Sequence, residues 1–353
     1  MQIDRRFLRE SGLELFNGNE LLVKGALETE GGVHLLTGYP GSPVASFFDT
    51  LSAIAELLKE KGIVGQIANN EALAAAAVNG SQMIPARAMA VLKSVGGHVA
   101  SDGLALGNLA GAHPQGGAVI VFGDDPWSES TQVPADSRFL CKHIRMPVIE
   151  PSTPQEVKDW VELAFKLSQA SGLYIGFILT TTLADGGGSV ECRRNHYPLT
   201  NARHRTELAT YTLDTENTVL LPPRTGRKEE AMHLRVARLL ERARQLGIDR
   251  IEYDQPARSG TMRQPSHLGI ITTGVAYQYV RQALLDMELL GEIPILKIGL
   301  SYPLDEQRVV GFARRFEHVV VVEERRGFLE EQVAQALLTH RQHEPELAHV
   351  RLW

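Results

Sequence analysis

Short, unbroken apolar runs alternate with amphipathic stretches through the first half of this chain, and that alternation narrows the choice of fold more than any other feature. Val33 to Leu36, Val64 to Ala68, Ala88 to Leu92, Ala118 to Phe122, Pro147 to Glu150 and Tyr174 to Thr180 read as strands. Around them, Asn19 to Glu30, Val44 to Lys61, Glu71 to Met83, Val99 to Ala110 and Gln155 to Gln169 carry apolar residues at helical spacing. Asn19 is placed to cap the first helix and Gly31-Gly32 to stop it. Strands apolar on both faces and joined by helices form a parallel sheet covered on both sides. Ligands of such sheets sit beyond the carboxyl ends of the strands, so the loops there are where chemistry is sought.

At roughly 150 residues per domain, the 353 residues allow about two domains. The first, an α/β domain, is expected over 1–185. From Asp185 to Gln264 the alternation weakens, opening on Asp185-Gly186-Gly187-Gly188 and holding Pro222-Pro223. One amphipathic helix, Lys228 to Leu246, stands in it, so 186–264 reads as a linker with a helical segment. A smaller α/β unit fills 265–353, with strands Leu268 to Thr272, Ile295 to Ile298 and Val319 to Val322. Its helices are Val275 to Met287, Asp305 to Phe316 and Leu329 to Leu338.

Composition excludes several classes. A formal net charge of -6 without a basic stripe argues against nucleic acid as a partner. Two cysteines, Cys141 and Cys192, are too few for an iron–sulfur cluster held by four thiolates. The start is charged and lacks the apolar core of a secretory signal. No run approaches the roughly 20 apolar residues of a membrane span, so the expected location is cytoplasmic, without a membrane partner.

The loops then carry the candidate chemistry. Thr37 to Pro43 (TGYPGSP) bends rigidly and offers the Ser42 hydroxyl at the ligand edge; from spacing alone a plain turn with Ser42 capping the next helix is the better account. Asn69-Asn70-Glu71 precedes an alanine-rich helix, where burial would favour a protonated carboxylic acid and the helix dipole the anion. Lys93 to Asp102 (KSVGGHVASD) reads as a loop whose paired glycines expose backbone N–H groups, with Lys93, Ser94 and His98 as candidate contacts. Gly123 to Arg138 is a long polar loop with Asp124 and Asp125 in tandem, but without the further oxygen ligands of a hard-cation site, so no metal residues are assigned. GxGxxG, GxSxG, HExxH and P-loop patterns are absent.

In order, these segments resemble one family. Gly18-Asn19-Glu20 with Lys24 to Glu28, Gly38-Tyr39-Pro40-Gly41-Ser42-Pro43, Asn70-Glu71, Lys93 through Asp102, Asp124-Asp125-Pro126 and Met146 to Ser152 are similar to the large subunit of indolepyruvate:ferredoxin oxidoreductases. Gly269 to Tyr277 and Val319 to Glu324 resemble that subunit's next domain. The resemblance implies a pyrimidine-binding domain of a thiamine diphosphate enzyme followed by a transketolase-C-like domain. Glu71 then hydrogen-bonds the pyrimidine ring nitrogen, with Gly41, Ser42, Pro43, Asn70 and Gly96 around the cofactor. Ser42, Lys93, Ser94, His98 and Asp125 line the substrate cavity.

The same resemblance implies oxidative decarboxylation of a 2-oxoacid, with coenzyme A taking the acyl group and ferredoxin or another acceptor the electrons. The family's diphosphate-and-magnesium motif and its cysteine-rich tail have no counterpart here. Magnesium and iron–sulfur clusters are therefore expected on a partner chain or domain. A gamma-type small subunit and a homodimer within a hetero-oligomer are also implied. Ser94 and His98 stand where the family more usually has His and Asn, which leaves the oxoacid open. A non-oxidative split thiamine diphosphate decarboxylase and a non-catalytic assembly subunit are the competing readings.

Overall fold

The computed structural model describes residues 4–198, 219–253 and 267–353. Its larger sheet has seven strands. In spatial order they are Leu300–Tyr302 (β12), Val148–Ile149 (β6), Ile175–Thr180 (β7), Gly117–Asp124 (β5), Arg87–Lys93 (β4), Leu35–Tyr39 (β2) and Val64–Gly65 (β3). All pairs are parallel except β12 with β6. The central strand β5 is buried along its whole length, as a strand covered on both faces must be.

Helices Gly18–Glu28 (α1), Ala45–Ala53 (α2), Ala55–Glu60 (α3), Glu71–Ser81 (α4), Ser94–Ala110 (α5), Ser137–His143 (α6) and Pro154–Ser171 (α7) cover this sheet, and the short helix Thr181–Asp185 (α8) follows β7. Several boundaries differ from the sequence expectation. Asn17, not Asn19, caps α1 and forms a capping box with Glu20. The expected 44–61 helix breaks at Ile54. Most consequentially, the segment read as a glycine loop is helical from Ser94 onward, so Gly96, Gly97 and His98 lie in the first turns of α5. Two glycines in a helix run against propensity; here close packing requires them, since a Cβ on Gly97 would meet the Phe122 ring at 2.7 Å. Likewise Gly25 brings α1 hard against α7, where a Cβ would lie 2.2 Å from the Lys158 carbonyl oxygen.

The stretch read as a linker is built into both units. Gly187–Glu191 (β8) pairs antiparallel with Leu13–Asn17 (β1) in a two-stranded ribbon. Arg224–Glu230 (α9) and Met232–Leu246 (α10) follow, with α10 packed on α7. Arg250–Glu252 (β9) joins the smaller sheet antiparallel to Ile295–Ile298 (β11). That sheet runs Arg351–Leu352 (β14), His318–Val322 (β13), Leu268–Thr273 (β10), β11, β9. Its helices are Ala276–Asp286 (α11), Glu306–Ala313 (α12) and Leu329–Arg341 (α13). Residues 199–218 and 254–266 of the expected linker lie outside the described residues. Because β12 leaves the second unit to extend the first sheet, the two sheets are interlocked rather than strung in series. Among the described residues no helix is long and apolar enough to cross a membrane.

Candidate functional site

At the carboxyl edge of the large sheet, four segments meet. Pairing of Lys93 with Gly123 sets the ends of β4 and β5 side by side. A Cβ on Gly123 would meet Pro43 and Val44, and one on Gly41 would lie 2.6 Å from the Lys93 side chain. The Gly41-Ser42-Pro43 turn therefore sits over both strand ends, with the stem of Lys93 laid along it. Asn19 holds the turn from beneath: its amide donates to the carbonyls of Pro43 at 3.0 Å and Ala184 at 3.2 Å. That tie was not legible in the sequence, where Asn19 looked like a cap.

Glu71 opens α4, with the Asn70 side chain accepting from Leu73 N as the cap. Glu71 is 7% exposed overall, yet its carboxylate oxygens reach the cleft surface, and no described residue gives them a hydrogen bond or ion pair. It lies over the first turn of α5, where a Cβ on Gly96 would stand 2.5 Å from its Oε1. Any other residue at 96 would push the carboxyl group away. A carboxylate that reaches a cleft without an internal partner is free to bond a group from outside the chain.

The other candidates separate. Ser42 is exposed and Lys93 half-buried at the edge. Ser94 is buried with a hydroxyl that finds no partner, and His98 points to the exposed side of α5. Asp125 departs from its expected role. It is fully buried, and its oxygens accept from the N–H groups of Glu129, Ser130 and Thr131 at 2.6–2.9 Å. Burial alone would raise its pKa, but these amides hold the carboxyl below the usual range. Asp125 shapes the loop after β5 and offers no oxygen to a substrate.

Its neighbour Asp124 accepts from Ser137 N at 2.8 Å and Ser137 Oγ at 2.5 Å, closing the two ends of the 123–138 loop. Burial, reinforced by Asp136, pushes its pKa up to about 8. A carboxyl whose folded pKa is raised gives stability that is full below the unfolded value near 4 and lost as pH rises through the folded one. Comparing wild type with Asp124→Asn, the melting-temperature difference is therefore expected to move in favour of the variant between pH 5 and 8. A difference independent of pH would contradict the assignment.

Arg138 was noted in the sequence only as the end of a polar loop. It is 4% exposed and joins the two units, pairing with Asp136 at 2.7 Å, Glu323 at 3.0 Å and Glu150 at 3.6 Å. At the far end of α5, Arg235 and Lys228 from the expected linker take the carbonyls of Asn108, Leu109 and Ala110. The helix that carries Gly96 is thus fixed from behind by cations suited to a C-terminus. No group of three or more potential metal-ligating side chains occurs among the described residues.

Residues 259–348 match the family model described as the indolepyruvate oxidoreductase domain. The indolepyruvate oxidoreductase subunit IorA of Archaeoglobus fulgidus is 32% identical over 89% of this chain and 47% of its own length. That of Methanothermobacter thermautotrophicus is 31% identical over 92% of this chain and 49% of its own. Among solved structures, 2-oxoglutarate:ferredoxin oxidoreductase from Magnetococcus marinus superposes with a TM-score of 0.67 at 15% identity, covering 92% of this chain and 60% of that one. A split-gene transketolase gives 0.54 at 12% identity, covering 91% and 82%. The two structures establish the α/β fold. The chain spans about half the length of the curated relatives it matches, and within that span it is similar to the indolepyruvate oxidoreductase subunits IorA.

Proposed function

We propose that this chain is the pyrimidine-binding part of a thiamine-diphosphate-dependent 2-oxoacid oxidoreductase whose active site is completed by a diphosphate-binding partner. The observation that carries the proposal is Glu71, a mostly buried residue whose carboxyl group reaches the cleft with no partner of its own, seated over a glycine that leaves room for it. The relatives' names and the fold of the 2-oxoglutarate:ferredoxin oxidoreductase support the reaction class.

The residues fit the cofactor's pyrimidine half. When bound, thiamine diphosphate supplies the nucleophile and the electron sink for decarboxylating a 2-oxoacid. Glu71 holds a hydrogen bond to the pyrimidine ring nitrogen, and Gly96 keeps the approach open. The Gly41-Ser42-Pro43 turn and Asn70 border the ring. Ser42 presents a hydroxyl to the substrate. The ammonium of Lys93, which no described residue pairs, attracts the oxoacid carboxylate. Beside Glu71, Leu73 and Val99 are 50% and 55% exposed, an apolar rim fit for burial by the partner surface that closes the site. Magnesium, iron–sulfur clusters, coenzyme A binding and ferredoxin contact are assigned to the partner subunits, and the assembly to the cytoplasm.

The test is cofactor binding by calorimetry. Thiamine diphosphate with magnesium is expected to bind the isolated chain at least about tenfold more weakly than the complex as it co-purifies. The complex should reduce a viologen dye in a 2-oxoacid- and coenzyme A-dependent manner. Tight magnesium-dependent binding by the chain alone would overturn the shared site.

A further inference from the structure

The loop after β5 starts from Gly123, which lies beside Lys93 and against Pro43 and Val44, so its root stands at the candidate site. Most of its attachments run to the other unit. Trp127 Nε1 donates to Glu324 Oε1 at 3.1 Å. Arg325 donates to the Pro126 carbonyl at 2.9 Å and stacks its guanidinium 5.4 Å from the centre of the Trp127 ring. At the loop's other end, Arg138 reaches Glu323, and its guanidinium lies 5.0 Å from the centre of the Phe328 ring. Glu323 in turn accepts from Leu329 N and Glu330 N at the start of α13, so the contact is anchored in a helix rather than in a free side chain. Residues 323–328 thus grip the loop at both ends. Between the grips, 128–130 and 132–134 are exposed, and the loop's internal order rests on Asp125.

We propose that the C-terminal unit works as a brace for the active site: through Arg138 and Trp127 it sets the position of the 126–135 wall, and with it the affinity for the oxoacid. The inference rests on the proposed oxidoreductase reading for its kinetic consequence and on contacts alone for its structural one. Arg138 and Trp127 act through the loop and are positioning residues. A buried guanidinium shared by three carboxylates holds one geometry, whereas a lysine supplies only a point charge. Misplacing a substrate-positioning wall weakens productive binding by up to about 10²-fold.

Trp127→Phe removes the Nε1 bond to Glu324 while keeping a ring over Arg325. Arg138→Lys keeps the charge but loses the fork. Both are compared with wild type by amide hydrogen exchange of the chain and by viologen reduction in the co-purified complex. Exchange over 126–135 is expected to quicken by about tenfold in each variant, with the large sheet's protection unchanged. KM for the oxoacid should rise several-fold, with affinity for thiamine diphosphate and kcat nearly constant. Unchanged exchange in Trp127→Phe overturns the brace, and so does quickened exchange with an unmoved KM. A wild-type complex without 2-oxoacid-dependent activity would defeat the oxidoreductase reading, while the exchange measurements would still decide the brace.

Discussion

Replacing Glu71 by glutamine is expected to lower 2-oxoacid-dependent dye reduction by about 10²- to 10⁴-fold and to leave the fold intact. Both halves follow from where the side chain sits. Glutamine has nearly the shape of glutamate, so it fits the space above Gly96 that a Cβ would close. No described residue pairs with the Glu71 carboxylate, so no internal bond is lost. The charge near the N-terminus of α4 is worth about 0.3–1 kcal/mol, and Asn70 continues to cap that helix. What glutamine lacks is the proton equilibrium: an amide neither takes up nor gives up a proton at a ring nitrogen. Dye reduction by the complex, beside urea unfolding of the variant chain, separates the two effects. Near-normal turnover would remove Glu71 from the chemistry.

The largest loss of stability is expected elsewhere, at Glu28. Its side chain is fully buried beside Lys24 at 3.3 Å and in contact with Lys158, and it also accepts from Arg193 N at 2.9 Å. Glu28→Gln strands two buried ammonium groups that shared one carboxylate. Removing one member of a buried ion pair costs about 3–5 kcal/mol. Lys24 retains the Arg9 carbonyl and Asn195 Oδ1, and Lys158 retains Asp159, so the loss belongs at the lower end. The double variant Glu28→Gln/Lys158→Met is expected to recover about 1–2 kcal/mol relative to additivity, because the stranded charge goes with its partner. Urea unfolding of the two singles and the double measures this. An additive cycle would show that Glu28 and Lys158 do not act as a pair.

Some of this was written plainly in the residues. Runs such as Ala118 to Phe122, apolar at every position, demanded a strand covered on both faces, and β5 is that strand. The asparagine–glutamate step before an alanine-rich stretch marked the start of α4, and the structure adds Asn70 as its cap. Local patterns of this kind depend on periodicity and turn chemistry, which the order of residues carries by itself.

Other features depend on what lies across the fold. Nothing in KSVGGHVASD separates a glycine loop from a helix; the ring of Phe122 and the side chain of Glu71 decide it, by leaving no room for a Cβ at 97 or 96. The family resemblance put Asp125 in the substrate cavity, and only the folded loop showed three backbone donors turned upon it. Arg138 and its carboxylates at 136, 150 and 323 are up to 185 residues apart. The order of residues determined which segments become strands and helices and which of them end in polar turns. Tertiary structure alone decided which charges are buried together and which side chains remain free for a ligand, because burial and charge pairing are set by neighbours in space.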